Sequence, residues 1–466
     1  MSTTMKRPSA MLRPEYVTAL TKCRCGCSLQ TSKGKRIDAI LYGFEGAVEV
    51  THITKRCCSR SCGAYYGYNY QCFQSGLLVN SVKLDDVNVL FVNPKLAFCK
   101  KYVRYHDSLQ FRGFLSQGAI DFAGRDVLFP HGGHSRDHFQ RYYGNARFLL
   151  LTMQEFEPLG PGSLFDIVIG DELTEASVVA YDEYMHSTVY PPRDADQVKE
   201  LCGDGHEKVI VKVCAGSPVP MKRKKKDRAP KKHVPYGNGW FMVSCPRDGR
   251  IVGVTQMFEP ENNLVTAQTL EKAIPHLKNC DCFILDRNCK AKIALESRPL
   301  LKQIRYYPID EFHAQKHTDG CPCSPLHIRR LKRRIKGVNT SVAEQVFSWF
   351  RGYARVLNEM RSLRHRFLVL YLCRRHNDLV DAGETSHLNQ YRIGVQGDKK
   401  KTVIGYKCRQ ARASRNPRVV KKKPSTAPTK RNMQKVVASR NPRALKKKPS
   451  TAPTKRNRQK VVKKVK

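Results

Sequence analysis

"CDCFILDRNCK", Cys280–Lys290, contains a short apolar run, Cys282–Leu285, that ends on a carboxylate, Asp286. An apolar run of this length closed by polar turn residues is the pattern of a strand buried on both faces. Immediately before it, "TAQTLEKAIPHLKN" (266–279) has apolar residues at helical spacing. Further back lie "RIVGVTQMF" (250–258), "GWFMVSC" (239–245) and "KVIVKVC" (208–214), each rich in β-branched or aromatic residues. Several strands, a helix and then a buried strand predict a mixed α/β sheet. After it, "NTSVAEQVFSWF" (339–350) opens a long helix. Its residues Val346, Phe350, Tyr353, Leu357, Met360, Phe367 and Leu370 recur mostly at three- and four-residue steps, on one face.

Three acids stand out in this block. Asp204 lies in "LCGDGHEKVIVKVC", Asp286 at the end of the buried strand, and Glu344 in the first turn of the long helix. Each has an ordinary explanation: an Asp-Gly turn, a strand-to-loop turn, and a capping box in which Ser341 and Glu344 satisfy each other's backbone amides. Taken together, two aspartates at strand positions and a glutamate opening a following helix can converge on one edge of a sheet. Clustered carboxylates repel one another unless a cation lies between them. Two Mg²⁺ (or Mn²⁺) ions would satisfy such a cluster and support phosphodiester chemistry.

Charge points to the same partner. The chain has 466 residues, with 84 Lys+Arg against 40 Asp+Glu. From Lys399 to Lys466 there are 26 basic residues and no acidic one. Such an excess attracts polyanions, of which nucleic acid is the commonest. No apolar run approaches the ~20 residues of a membrane-spanning helix, and "MSTTMKRPSAMLRPEY" has no apolar signal region, so a nuclear, non-membrane protein is expected. Two basic runs interrupt the α/β block. Lys222, Arg223, Lys224, Lys225 and Lys226 fall in the first, and Arg329, Arg330, Arg333 and Arg334 in the second; both are candidate DNA contacts beside the carboxylates.

Cysteine usage suggests metal. Seven of the 18 cysteines lie between Cys23 and Cys72, in "KCRCGCSLQ" and "KRCCSRSCGAYYGYNYQC". Two knuckles flanking a strand-like stretch suit tetrahedral zinc. Cys23 with Cys25 or Cys27 forms one pair, and Cys57 or Cys58 with Cys62 the other; Cys23, Cys25, Cys58 and Cys62 are the expected set. A second set is His313, His317, Cys321 and Cys323 in "DEFHAQKHTDGCPCSPLH". The competing reading is scattered reduced thiols and satisfied histidines.

The order "DGHEKVIVKVC … ILDRNC … DEFHAQKHTDGCPC … NTSVAEQVFSWFRGYARVLNEMR … HN", following a cysteine cluster, resembles the Kyakuja–Dileera–Zisupton (KDZ) transposases and their cysteine-cluster-associated relatives. The resemblance covers about Cys23 to Asn377 and is closest at the Asp286-x-x-Cys289 pair and at "AEQVFSW". It implies a ribonuclease-H-like DDE catalytic domain, with Asp204, Asp286 and Glu344 as the acidic triad and Asp171 as the alternative first acid. It also implies cleavage at a transposon end, then attack of the freed 3′-hydroxyl on target DNA.

The expected organisation is a leader (1–20), a cysteine-rich zinc cluster (21–75) and a mostly helical region (76–198). A mixed α/β catalytic domain (199–380) and a disordered basic tail (381–466) follow. In the tail, 413–437 recurs almost unchanged as 438–462. DNA and further copies of the chain are the expected partners. A non-catalytic zinc- and DNA-binding descendant of such an element, and a nuclease without strand transfer, are the alternatives.

Overall fold

The run at Cys282–Ile284 is a strand, buried throughout, at one edge of a four-stranded sheet. The computed structural model describes residues 13–73, 76–79, 83–127, 136–160, 167–170, 173–206, 212–213, 234–235, 237–318 and 320–383. All of them fall in one compact unit, Met1–Tyr406. Asp171, Lys222–Lys226, most of "KVIVKVC" and the repeated tail lie outside the described residues.

Two sheets precede the helices. The first contains β1 (Glu15–Val17), β3 (Arg36–Gly43), β4 (Gly46–Ile53), β9 (Val89–Asn93) and β10 (Leu96–Cys99), in the order β1-β4-β3-β10-β9. The second runs β2 (Leu29–Gln30), β5 (Lys55–Cys57), β6 (Tyr65–Tyr66), β7 (Tyr70–Phe73) and β8 (Gly76–Val79). The β7–β8 pairing crosses residues 75/76, where the sequence suggested a boundary, and helix begins only at Lys100. Four longer helices follow: α1 (Lys100–Gly113), α2 (Gln117–Val127), α3 (Arg136–Phe156) and α4 (Glu175–Tyr184).

The central sheet comprises β11 (Glu200–His206), β14 (Gly239–Ser244), β15 (Ile251–Met257) and β16 (Cys282–Ile284), in the order β15-β14-β11-β16; the short pair β12 (Lys212–Val213) and β13 (Val234–Pro235) is separate from it. β14 runs antiparallel to both β15 and β11, while β16 runs parallel to β11. Helix α5 (Asn263–Ala273) makes the crossover from β15, its N-terminus capped by Asn262, which accepts from the Val265 amide at 3.0 Å. Beyond β16, the segment Tyr306–Pro308 continues the sheet through a parallel bridge from Cys282 to Tyr306.

Strand alternation divides the central sheet between two cores. Leu201, Phe241, Val243 and Phe283 pack beneath α5 and α6 (Asn288–Glu296). Cys202, Met242, Cys282 and Ile284 pack with α9 (Val342–Phe350) and α11 (Ser362–Asp381); between α6 and α9 come the short helices α7 (Glu311–Ala314) and α8 (Arg329–Arg334). On α9, Val342, Val346, Phe347, Trp349 and Phe350 are all buried. At about 1.5–3 kcal/mol for each fully buried large side chain, that face fixes the helix, and Glu344 with it.

The long helix expected from the sequence is broken. A 3₁₀ turn (Arg351–Tyr353) and α10 (Ala354–Leu357) separate α9 from α11. Gly352 lies against the Phe114 ring, which a Cβ there would meet at 2.3 Å. The chain bends around that ring.

Helix α11 joins the helical region to the sheet. Asn377 accepts from the Ile251 amide at 2.9 Å and donates to the Ile251 carbonyl at 2.8 Å. Asp107 on α1 accepts from Arg147 on α3 at 3.0 and 2.8 Å and from the Tyr371 hydroxyl at 2.5 Å. This buried charge is thus compensated on both oxygens. No described helix is long and apolar enough to cross a membrane.

Candidate functional site

Parallel register brings the first two acids together. Cys202 on β11 lies opposite Ile284 on β16, the last pair of that ladder; two residues beyond on each chain come Asp204 and Asp286, close enough for Asp286 to raise the Asp204 carboxyl. The next chain repeats the step, for Phe283 and Leu285 donate their amides to the carbonyls of Tyr306 and Pro308 at 2.9 and 3.3 Å. Asp310 therefore ends that chain at the same edge. Asn288 locks the pair, donating to the carbonyls of Phe283 (2.7 Å) and Pro308 (2.8 Å).

Asp204 shares the strand face of Cys202, which α9 covers, and α9 presents Glu344 there. Phe347, one helical turn on, meets the His206 ring at a centroid distance of 5.2 Å. The capping box does not form, because Ser341 makes no side-chain cap bond to the helix. Glu344 faces His313 instead, with Oε1 3.5 Å from Nδ1. Asp204, His206, Glu344, Gln345, Ser348 and Arg351 line an open cleft of about 490 Å³.

Glu261 is a fourth carboxylate that the sequence reading missed. It ends the turn between β15 and α5 and approaches β11 from its other side, where a Cβ on Gly205 would meet its carboxylate at 2.7 Å. Arg287, directly after Asp286, donates to its backbone carbonyl and to Asn263 Oδ1 at 3.1 Å. Only the sheet order connects "PENN" with "LDRN".

The electrostatics of the group are those of crowded anions. Burial, then Glu261, Asp286 and Glu344, push the Asp204 carboxyl well above the usual range. Glu344 is raised by burial, with His313 opposing and Asp310 and Asp286 adding to the shift. Asp286 Oδ1 is buried with no hydrogen-bond partner. Asp310, by contrast, is fully used. Its Oδ1 accepts from the amides of Phe312 and His313 at 2.9 and 3.0 Å, and its Oδ2 lies 2.7 Å from His313 Nδ1. The ordinary capping explanation holds for Asp310.

Four thiols converge at the N-terminal cluster. Cys23, Cys25, Cys57 and Cys62 have sulfurs within 4.8 Å of one another and can hold a metal ion. The Cys23–Cys62 and Cys25–Cys57 sulfurs are 3.5 Å apart. That is far beyond a disulfide bond and near the edge of about 3.8 Å of a tetrahedron with zinc–sulfur bonds of about 2.3 Å. Tyr66 supports the site, donating to Cys23 Sγ at 3.5 Å while accepting from the Arg24 amide at 3.1 Å.

Cys57 therefore replaces Cys58 in the expected set. β5 ends at Cys57, and Cys58, the first residue beyond it, turns elsewhere, its Sγ accepting from Ser28 Oγ at 3.3 Å. Serine at Cys57 is expected to remove one equivalent of bound zinc, and serine at Cys58 none; metal analysis of the purified variants checks this.

The second expected set also changes. Cys289, His317 and Cys321 come together, and Cys323 is buried beside them. His313 is not among them, being held by Asp310 and Glu344. Of the basic residues, Arg329, Arg330 and Arg333 are exposed on α8. Arg334 pairs with Glu200 and, at 2.5 Å, with Asp281. Those two acids begin β11 and precede β16, so α8 sits about 13 Å of strand away from Asp204. Among the described residues, Lys316, Arg351 and Arg287 lie close to the acids, and Arg287 pairs with the Glu261 carboxylate at 3.8 Å. No family model matches this chain, and comparison with curated proteins and with solved structures finds no match either.

Proposed function

We propose that this chain is a metal-dependent polynucleotidyl transferase of the DDE type, transposase-like, built on a ribonuclease-H-like domain. The observation that carries the reading is the convergence of Asp204, Glu261, Asp286 and Glu344 on one edge of the central sheet, with a buried oxygen of Asp286 unpartnered. An antiparallel meander of three strands followed by a parallel strand across a helix, with a carboxylate within the first strand and another two residues past the fourth, supports the ribonuclease-H-like assignment.

The donor set suits Mg²⁺ or Mn²⁺: all-oxygen, anionic and open to a cleft. When bound, such ions activate the attacking oxygen and stabilise the leaving one in phosphodiester transfer. Asp204, Asp286 and Glu344 would hold them, with Glu261 closing the far side. Asp310 orients His313 against Glu344 and so limits the rotamers of that carboxylate. Arg351 lines the cleft, where it would meet a phosphate. The N-terminal thiols would hold structural zinc, and the basic tail would add sequence-independent affinity for DNA in a nuclear protein acting as an oligomer.

Incubation of the zinc-loaded protein with supercoiled duplex tests the reading. Nicking is expected with Mg²⁺ or Mn²⁺ and none when neither ion is added. Tight duplex binding without nicking in either ion would favour the non-catalytic alternative.

A further inference from the structure

We propose that Cys289, His317 and Cys321, completed by Cys323, form a second zinc site that ties the helix following Asp286 to the loop following Asp310. The three converging ligands are already in place. Cys289 Sγ and Cys321 Sγ each lie 3.8 Å from His317 Nδ1. In a tetrahedral site with zinc–sulfur and zinc–nitrogen bonds of about 2.3 and 2.05 Å, that separation is about 3.6 Å.

Two sulfurs converge on one ring nitrogen, which offers either one lone pair or one N–H according to tautomer, so at most one of the two approaches is a linear hydrogen bond. A metal ion takes both sulfurs and the nitrogen together. Cys323 is 1 % exposed and shares the small core of Cys321, with Cys289 packed against that core. It is thus a thiol beside the trio.

The loop also needs a source of order. Gln315–Ser324 contains no regular helix or strand among its described residues. Its core is only Ile309, Ala314, Cys321 and Cys323, with Cys289 packed against them. Four small or medium side chains contribute too little burial to hold ten residues against their conformational entropy. A structural zinc supplies what the core lacks.

The location gives the site a consequence. Cys289 is three residues after Asp286, and His317 is four after His313. Zinc here would fix the spacing between α6 and the segment that supports Glu344. That second step rests on the catalytic reading above, whereas the zinc count does not.

Reduced full-length protein should contain two zinc ions per chain by elemental analysis. Cys289→Ser with Cys321→Ser should remove one, and Cys57→Ser the other. His317→Cys should keep the second zinc and His317→Ala should lose it, which separates ligation from misfolding. With Co²⁺ in the Cys57→Ser background, thiolate-to-metal absorption should correspond to three sulfurs and one imidazole. One zinc per chain that disappears with Cys57→Ser, two zincs persisting in folded Cys289→Ser/Cys321→Ser, or a Cys289–Cys321 disulfide in peptide mapping would each overturn the proposal. If zinc is lost but nicking is unchanged, the site stands and its coupling to the carboxylates falls.

Discussion

Asp286→Asn is expected to lower metal-dependent nicking by roughly 10³-fold, about 4 kcal/mol of transition-state stabilisation, while duplex affinity stays within about twofold. The physical reason is specific to its position. Asp286 lies two residues past the buried strand with one oxygen enclosed and unpartnered, so asparagine there loses no hydrogen bond at that oxygen. The basic residues that would meet phosphates, on α8 and at Arg351, are untouched. Glu344→Gln should behave similarly, and its stability should change little because no capping box depends on it. Cleavage rates and binding isotherms measured on the same preparations check both variants. Normal nicking by Asp286→Asn would remove the acid cluster from the chemistry.

Asp204→Asn should stabilise the zinc-loaded protein in the absence of Mg²⁺, by about 1–2 kcal/mol, and weaken its stabilisation by Mg²⁺. Asp204 is buried against Glu261, Asp286 and Glu344, all of which raise its carboxyl. A group whose folded value lies above its unfolded value of about 3.9 binds protons more tightly in the native state. Its contribution to stability is complete below that unfolded value and is lost as the pH rises through the raised one. Without divalent ions, wild-type stability should therefore fall over this window, and Asp204→Asn should flatten the fall. Added Mg²⁺ should reverse the order of the two proteins, because the ion stabilises only the carboxylate form. Thermal melts across pH, with and without Mg²⁺, measure this. A zinc-loaded Asp204→Asn variant less stable than wild type without Mg²⁺ would mean that Asp204 is an ordinary structural acid.

Much of the central sheet was legible because its signals are local. "CFIL" reads as a buried strand, and the crossover helix and α9 show helical spacing directly. The first strand was not legible in the same way. Glu200–His206 contains two glycines, and the sequence favoured the apolar "KVIVKVC" beside it. Gly203 is in the strand for a tertiary reason: a Cβ there would meet Phe283 at 2.6 Å and Phe241 at 3.0 Å. Packing of two aromatic rings against the backbone outweighs β-propensity.

The site shows the same division. Asp204, Asp286 and Glu344 were named from the chain order of their elements, which the topology preserves. Glu261 was invisible because its approach depends on which turn lies beside β11. Cys57 and Cys58 cannot be told apart by spacing, as they are adjacent; the end of β5 between them decides. His313 and His317 share the spacing of one helical face, yet α7 ends at Ala314 and the two histidines serve different partners. Capping by Asp310 starts that helix and claims His313 at the same time.

Direct titration of zinc-loaded, divalent-free protein with Mn²⁺, following the free ion by electron paramagnetic resonance, tests the central claim. Wild type should bind two Mn²⁺ ions per chain at the carboxylates, and Asp286→Asn should bind at most one, with at least tenfold weaker affinity. Equal binding by the two proteins, or none by wild type, would contradict a metal-holding role for the four converging acids.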